Sequence, residues 1–149
     1  MQYIECPNKE KPKYKSIFLA GGIVDCPDWQ SEVVEKFRKY KNVTVLNPRR
    51  KSFVINDKNV NNEQIGWEYE NLRSSDVLLF WFSVGSVNPI VLFEFGSAME
   101  RDACIFVGVH PEYVRKQDVE IQSKLRHPEL VIHSSIESLV SAVTKHLKL

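Results

Sequence analysis

Glu94 stands in the run VLFEFG, between Phe93 and Phe95, with no other charge from Pro89 to Met99. Taking a carboxylate out of water is costly unless it is paired or hydrogen-bonded. An acid in such company is either turned to solvent in the first turn of a helix, where the helix dipole favours it, or kept for chemistry. Glu68, upstream in QIGWEYE, is the second acid of interest. Two carboxylates converging on one cleft suit glycosidic-bond chemistry, in which one attacks the anomeric carbon and the other manages protons or orientation. Other chemistries lack their residues. His110, His127, His133 and His146 are scattered without ligand spacing, so no metal site is expected. Gly96-Ser97 lacks the strained elbow of a serine hydrolase, and Gly21-Gly22 is neither a Walker loop nor a dinucleotide fingerprint. No cofactor is implied.

The elements that must position these acids follow from the patterning. Residues 1–15, rich in Lys and Pro, read as a loose arm ahead of a single domain over 16–149. Ser16 to Ala20 is a short apolar strand running into Gly21-Gly22. Asp25 to Asp28 looks like a helix start, with Asp25 as cap, and Trp29, Val33, Val34 and Phe37 follow at helical spacing. Asn42 to Leu46 is a second strand, closed by the basic loop Asn47-Pro48-Arg49-Arg50-Lys51 and a polar stretch to about Val60. Asn61 or Asn62 can cap a helix with Ile65, Tyr69 and Leu72 on one apolar stripe and Glu68 on or beside it. VLLFWF, Val77 to Phe82, is apolar at every position, as a parallel strand covered on both faces should be.

Asn88-Pro89 opens the helix that carries Glu94. Ala103 to Val109 and Leu130 to Ile132 supply two more strands, with a charged, partly helical segment between them. Ser134 and Glu137 make a capping box for a last helix. Alternating strands and helices predict an α/β three-layer sandwich on a five-stranded parallel sheet, in the flavodoxin-like order 2-1-3-4-5. Ligands bind such sheets beyond the carboxyl ends of the strands at the switch point, here between the Gly21-Gly22 loop and the Ser83 to Asn88 loop.

Composition narrows the class. A chain of 149 residues with a formal charge of +1 offers no field for nucleic acid, and no run long enough for a membrane span. Cys6, Cys26 and Cys104 are odd in number and far apart, which fits a reducing, cytoplasmic setting rather than a disulfide framework. Trp81 reads as core, and Tyr113 as an exposed loop residue.

The ordered motifs FLAGGI, NPRR, QIGWE, LRSSD followed by VLLFWF, and NPIVLFEFG resemble the nucleoside 2-deoxyribosyltransferase superfamily, more narrowly its nucleoside 2-deoxyribosyltransferase-like branch. The 2'-deoxynucleoside 5'-monophosphate N-hydrolases share the pattern. The resemblance implies that Glu94 is the nucleophile and that Glu68, where relatives more often carry Asp, is its partner acid. Asn88 takes a place that holds Asp in transferases and Ser in the nucleotide hydrolases, so substrate choice is expected there. Gly21 and Gly22 match the loop that lets substrate approach the backbone. Arg49 and Arg50, from NPRR, suit a 5'-phosphate or a stacked base. Trp67 and Ser86 complete the expected substrate contacts.

The implied reaction is retaining: Glu94 forms a covalent deoxyribosyl-enzyme, which a second base then attacks. The alternatives are attack by water, giving an N-glycosidase of 2'-deoxynucleosides or their 5'-monophosphates, and a binding module without turnover. The expected partners are small nucleosides, nucleotides or bases. The resemblance also implies a homo-oligomer.

Overall fold

The computed structural model describes residues 1–51 and 58–149. The polar stretch expected between the basic loop and Val60 lies mostly outside those residues. Among the described residues, six parallel strands form one sheet: β1 (Gln2–Glu5), β2 (Lys15–Gly21), β3 (Val43–Asn47), β4 (Val77–Phe82), β5 (Ile105–Val109) and β6 (Ile132–His133). The described residues also form five helices, four of them between successive strands from β2 onward and the last after β6: α1 (Trp29–Phe37), α2 (Lys58–Ser74), α3 (Pro89–Met99), α4 (Lys116–Arg126) and α5 (Ile136–Leu147). The order across the sheet is β1-β3-β2-β4-β5-β6. Without β1, this is the expected 2-1-3-4-5.

The sixth strand comes from the segment read as a loose arm. Gln2 to Glu5 pair in register with Thr44 to Asn47, so the N-terminus is an edge strand rather than an appendage. It is only four residues long, with polar Gln2 and Glu5 at its ends, which hides the pattern. A strand needs a partner edge more than it needs a long apolar run, and β3 supplies one.

β4 shows why the fold is a sandwich. Leu78, Phe80 and Phe82 point to one face, and Val77, Leu79 and Trp81 to the other; all six are buried. The first set packs against Trp67 and Leu72 of α2, Val91 and Phe95 of α3, and Val119 of α4. The second set packs against α1 and α5, through Trp29, Val33, Phe37, Leu139 and Val143. Each fully buried side chain of this size contributes about 1.5–3 kcal/mol, so β4 anchors both layers.

Several local expectations shift. α2 begins at Lys58, about a turn before the expected asparagines. The cap of α1 is Asp28, whose carboxylate accepts the Ser31 N–H at 3.2 Å, while Asp25 sits in a left-handed turn with φ 56°. α5 is capped by Ser135, not Ser134, and Glu137 pairs with Lys36 at 2.7 Å instead of closing a box. Tyr113 is buried against Phe82 and donates its hydroxyl to Val87 O at 2.6 Å. Asp76 accepts from Ser16 N–H and Oγ–H, tying the start of β4 to β2.

Candidate active site

The connections that enter and leave β4 place α2 and α3 side by side on one face of the sheet. The inward face of α2 is Gln64, Trp67 and Leu72, and that of α3 is Val91, Phe95, Ala98 and Met99. The expected stripe of Ile65, Tyr69 and Leu72 is therefore only partly a core stripe: Ile65 is 63% and Tyr69 61% exposed. Trp67 takes the core position because its indole finds a carbonyl, Asn8 O at 2.8 Å, while its ring packs on Phe18.

The displaced stripe lines a cleft instead. Glu68 and Tyr69 of α2 face Ile90, Phe93 and Glu94 of α3 across a cavity of about 380 Å³, with Arg73 and Arg101 toward its far end. Helical spacing accounts for the lining, since residues three and four apart share a face. The sequence thus brings its two acids together, not at the strand ends but between two helices that flank the central strand.

Their electrostatics follow from that setting. Burial among apolar neighbours raises the Glu94 carboxyl from 4.5 to about 8, and the nearby charge of Glu68 adds to the rise. Burial also raises Glu68, opposed by a hydrogen bond from Gln64 Nε2 at 2.7 Å that favours its ionised form. Two like charges in one cleft hold on to a proton between them. Such a pair can attack an electrophilic carbon with one oxygen and relay a proton with the other.

The remaining residues singled out in the sequence have other surroundings. Gly21 and Gly22 are required by close packing: a Cβ on Gly21 would strike the Trp29 ring and Trp81 O, and one on Gly22 would strike Asn88 Oδ1 and Cys26 Sγ. Asn88 is buried, with φ 53° at the N-cap of α3. Its Oδ1 accepts from the Cys26 thiol at 3.2 Å and its Nδ2 donates to Ser86 O at 3.1 Å, while Ser86 Oγ accepts the Asn88 N–H at 3.2 Å. Asn88 and Ser86 therefore brace the turn into α3 and do not line the cleft. Arg49 spends its guanidinium on Gln30 Oε1 at 3.0 Å and on the carbonyls of Ile23, Cys26 and Pro27, fastening the loop after β2. Arg50 pairs with Glu63 at 3.0 Å.

A sequence model for a family described as nucleoside 2-deoxyribosyltransferase like matches residues 14–113. The chain belongs to that family. Among proteins of curated function, none matches it. The segment shared with the nucleoside 2-deoxyribosyltransferase-like family runs from β2 to the loop after β5, so it contains α2, α3 and both acids. Residues 1–13, with β1, lie before it. No helix among the described residues is long and apolar enough to cross a membrane, and no cluster of three or more His, Cys, Asp or Glu among them could hold a metal ion.

Two features escaped the sequence reading. Gln64, one turn before Glu68, is buried and bonded to it, and the i,i+4 spacing was the available signal. Ile90 and Phe93, which wall the cleft, are 65% and 76% exposed and look like ordinary core positions in the string.

Proposed function

We propose that the protein transfers a 2'-deoxyribosyl group from one nucleobase to another through an ester to Glu94. The observation that carries this reading is the pairing of Glu68 and Glu94 in one largely apolar cleft of a family member. In the first step a Glu94 oxygen bonds to C1' as the C1'–N bond breaks, and the electron pair goes to the departing base. The proton that Glu94 gives up passes to Glu68 and then to that base, so the base leaves as a neutral N–H compound. In the second step an incoming base loses its N–H proton to Glu68 and attacks C1', releasing the Glu94 carboxylate on the opposite face from its own attack. Configuration at C1' is retained.

The internal engagement of Arg49 and Arg50 supports an unphosphorylated nucleoside over a 5'-monophosphate. The exposed side chains of Ile90 and Phe93 beside Glu94 support a homo-oligomer that covers them. The deciding experiment incubates the protein with single 2'-deoxynucleosides, with and without a second free base, and resolves products by chromatography. A new nucleoside that forms only with the acceptor base is the expected result. Release of free base and deoxyribose without acceptor would assign hydrolysis, and no product in either arm would refute catalysis.

A further inference from the structure

Glu68 differs from Glu94 in being held. Gln64 Nε2 donates to Glu68 Oε1 at 2.7 Å and to Pro48 O at 2.8 Å, and Gln64 Oε1 accepts from Cys6 Sγ–H at 3.0 Å. Reversing the amide would set its oxygen against two acceptors, so the network fixes its orientation. Cys6 is buried, and burial pushes its thiol up to about 12, so it stays protonated and remains a donor. It lies directly after β1 and is fixed there by its own N–H on Asn47 O at 3.0 Å. Two residues on, Asn8 O accepts the Trp67 indole N–H at 2.8 Å. The N-terminal segment thus grips α2 at Gln64 and Trp67, in the turn that leads into Glu68, and it lies outside the family-matched residues 14–113.

We infer that Gln64 and Cys6 are positioning residues for Glu68, and that β1 is the element through which this chain sets the proton-carrying half of the acid pair. This rests on the proposed transfer reaction for its functional meaning, and on the hydrogen bonds alone for its physical content. Gln64 occupies Oε1 of Glu68, leaving Oε2 to take the proton. The charged groups around this arrangement are Glu94 from α3, Arg101 just beyond its end, Arg73 and Glu63 from α2, Arg50 from the loop after β3, and Glu5 from β1. None of them makes the bond that Gln64 makes.

The test uses the whole protein with Gln64→Leu, Cys6→Ala and Cys6→Ser. Carbon-13 labelling of glutamate lets NMR follow the Glu68 and Glu94 carboxyls through a pH titration, independently of turnover. Losing a donor to the ionised form raises the Glu68 midpoint, by about one pH unit for Gln64→Leu. Cys6→Ala moves it the same way by less, because the amide loses its clamp but not its contact. Cys6→Ser, whose hydroxyl also donates, restores the wild-type value. The pH profile of kcat/KM follows, moving to higher pH in Gln64→Leu and not in Cys6→Ser. Wild-type titration curves in both Gln64→Leu and Cys6→Ala would overturn the inference. Should Gln64→Leu fail to fold, the contrast between Cys6→Ala and Cys6→Ser decides. A protein that turns over no deoxynucleoside, yet shows the shifted Glu68 titration, would refute the transfer reaction and leave the positioning role standing.

Discussion

Replacing Glu94 with Gln removes a carboxyl that the fold holds at about 8 instead of its ordinary 4.5. The folded state binds this proton more tightly than the unfolded chain does. Below the unfolded value both states are protonated and the residue costs nothing. As pH rises between the two values, the unfolded chain releases its proton first and folding stability falls, by about 1.4 kcal/mol per pH unit. The ideal penalty above pH 8 is ~5 kcal/mol, which the opening of the cleft to solvent reduces to about 2–3 kcal/mol. Glu94→Gln keeps the shape and has no charge to bury. The variant should therefore match wild type near pH 4.5 and exceed it by about 2–3 kcal/mol near pH 9, an increase of roughly 5–10 °C in Tm for a chain of this size. Urea and thermal unfolding at several pH values measure it. A stability difference that does not change with pH, or a variant less stable throughout, would refute the account of Glu94 as a buried acid. Glu68→Gln provides the internal control: it removes one of the two causes of the shift, so the pH dependence of stability should weaken without vanishing.

The same assignments make further predictions. Glu94→Ala and Glu94→Gln should both abolish deoxyribosyl transfer, with losses of about 10³-fold or more in kcat, and near-normal turnover in either would sink Glu94 as nucleophile. Because the first step consumes the one proton the pair holds, kcat/KM in the wild type should fall as pH rises through about 8, and in the residual activity of Glu68→Gln that fall should lie at lower pH. Gly22→Ala places a methyl on Asn88 Oδ1 and Cys26 Sγ, so it should cost about 1–3 kcal/mol in urea unfolding and slacken the turn into α3. Arg49→Gln frees three carbonyls after β2 and should lower Tm while changing KM for an unphosphorylated nucleoside little, a result that inverts if Arg49 holds substrate.

Most of the sheet was legible because its strands are buried on both faces, which leaves short apolar runs without alternation between turn residues, as in the six residues of β4. β1 was not legible. Only Ile4 of its four residues is deeply buried, and its identity as a strand comes from pairing with β3, a long-range fact. The acids were legible by type and context, since a carboxylate amid Phe and Leu is costly wherever it lies. Their surroundings were harder to read. The NPRR and Asn88 positions look like substrate contacts in the string because Arg and Asn are built to bind polar groups. Here those groups are carbonyls and a thiol of the protein's own loops. A side chain's capacity to donate is written in the sequence, but its partner is not.

That division suggests how the cleft tolerates two repelling acids. The buried faces of α2 and α3 are fixed from beneath: Trp67 on Phe18, Phe95 edge-on to Phe80 and Phe82 with centroids 5.0 and 5.4 Å away. Edge-to-face ring contacts of this kind contribute about 0.5–1.5 kcal/mol each beyond area burial. Together with the bracing of the α3 turn by Asn88 and Ser86, they oppose the separation of the two helices that Glu68–Glu94 repulsion favours. With the helices held together, the repulsion is relieved by keeping a proton, which in the proposed transfer reaction is the one the departing base would take. Loosening the anchor should therefore lower the Glu94 midpoint before it lowers stability by much. Phe95→Leu, which keeps burial but loses both ring contacts, tests this by carboxyl NMR: a Glu94 midpoint unchanged from about 8 would show that the pair is set by local burial alone and not by the packing beneath it.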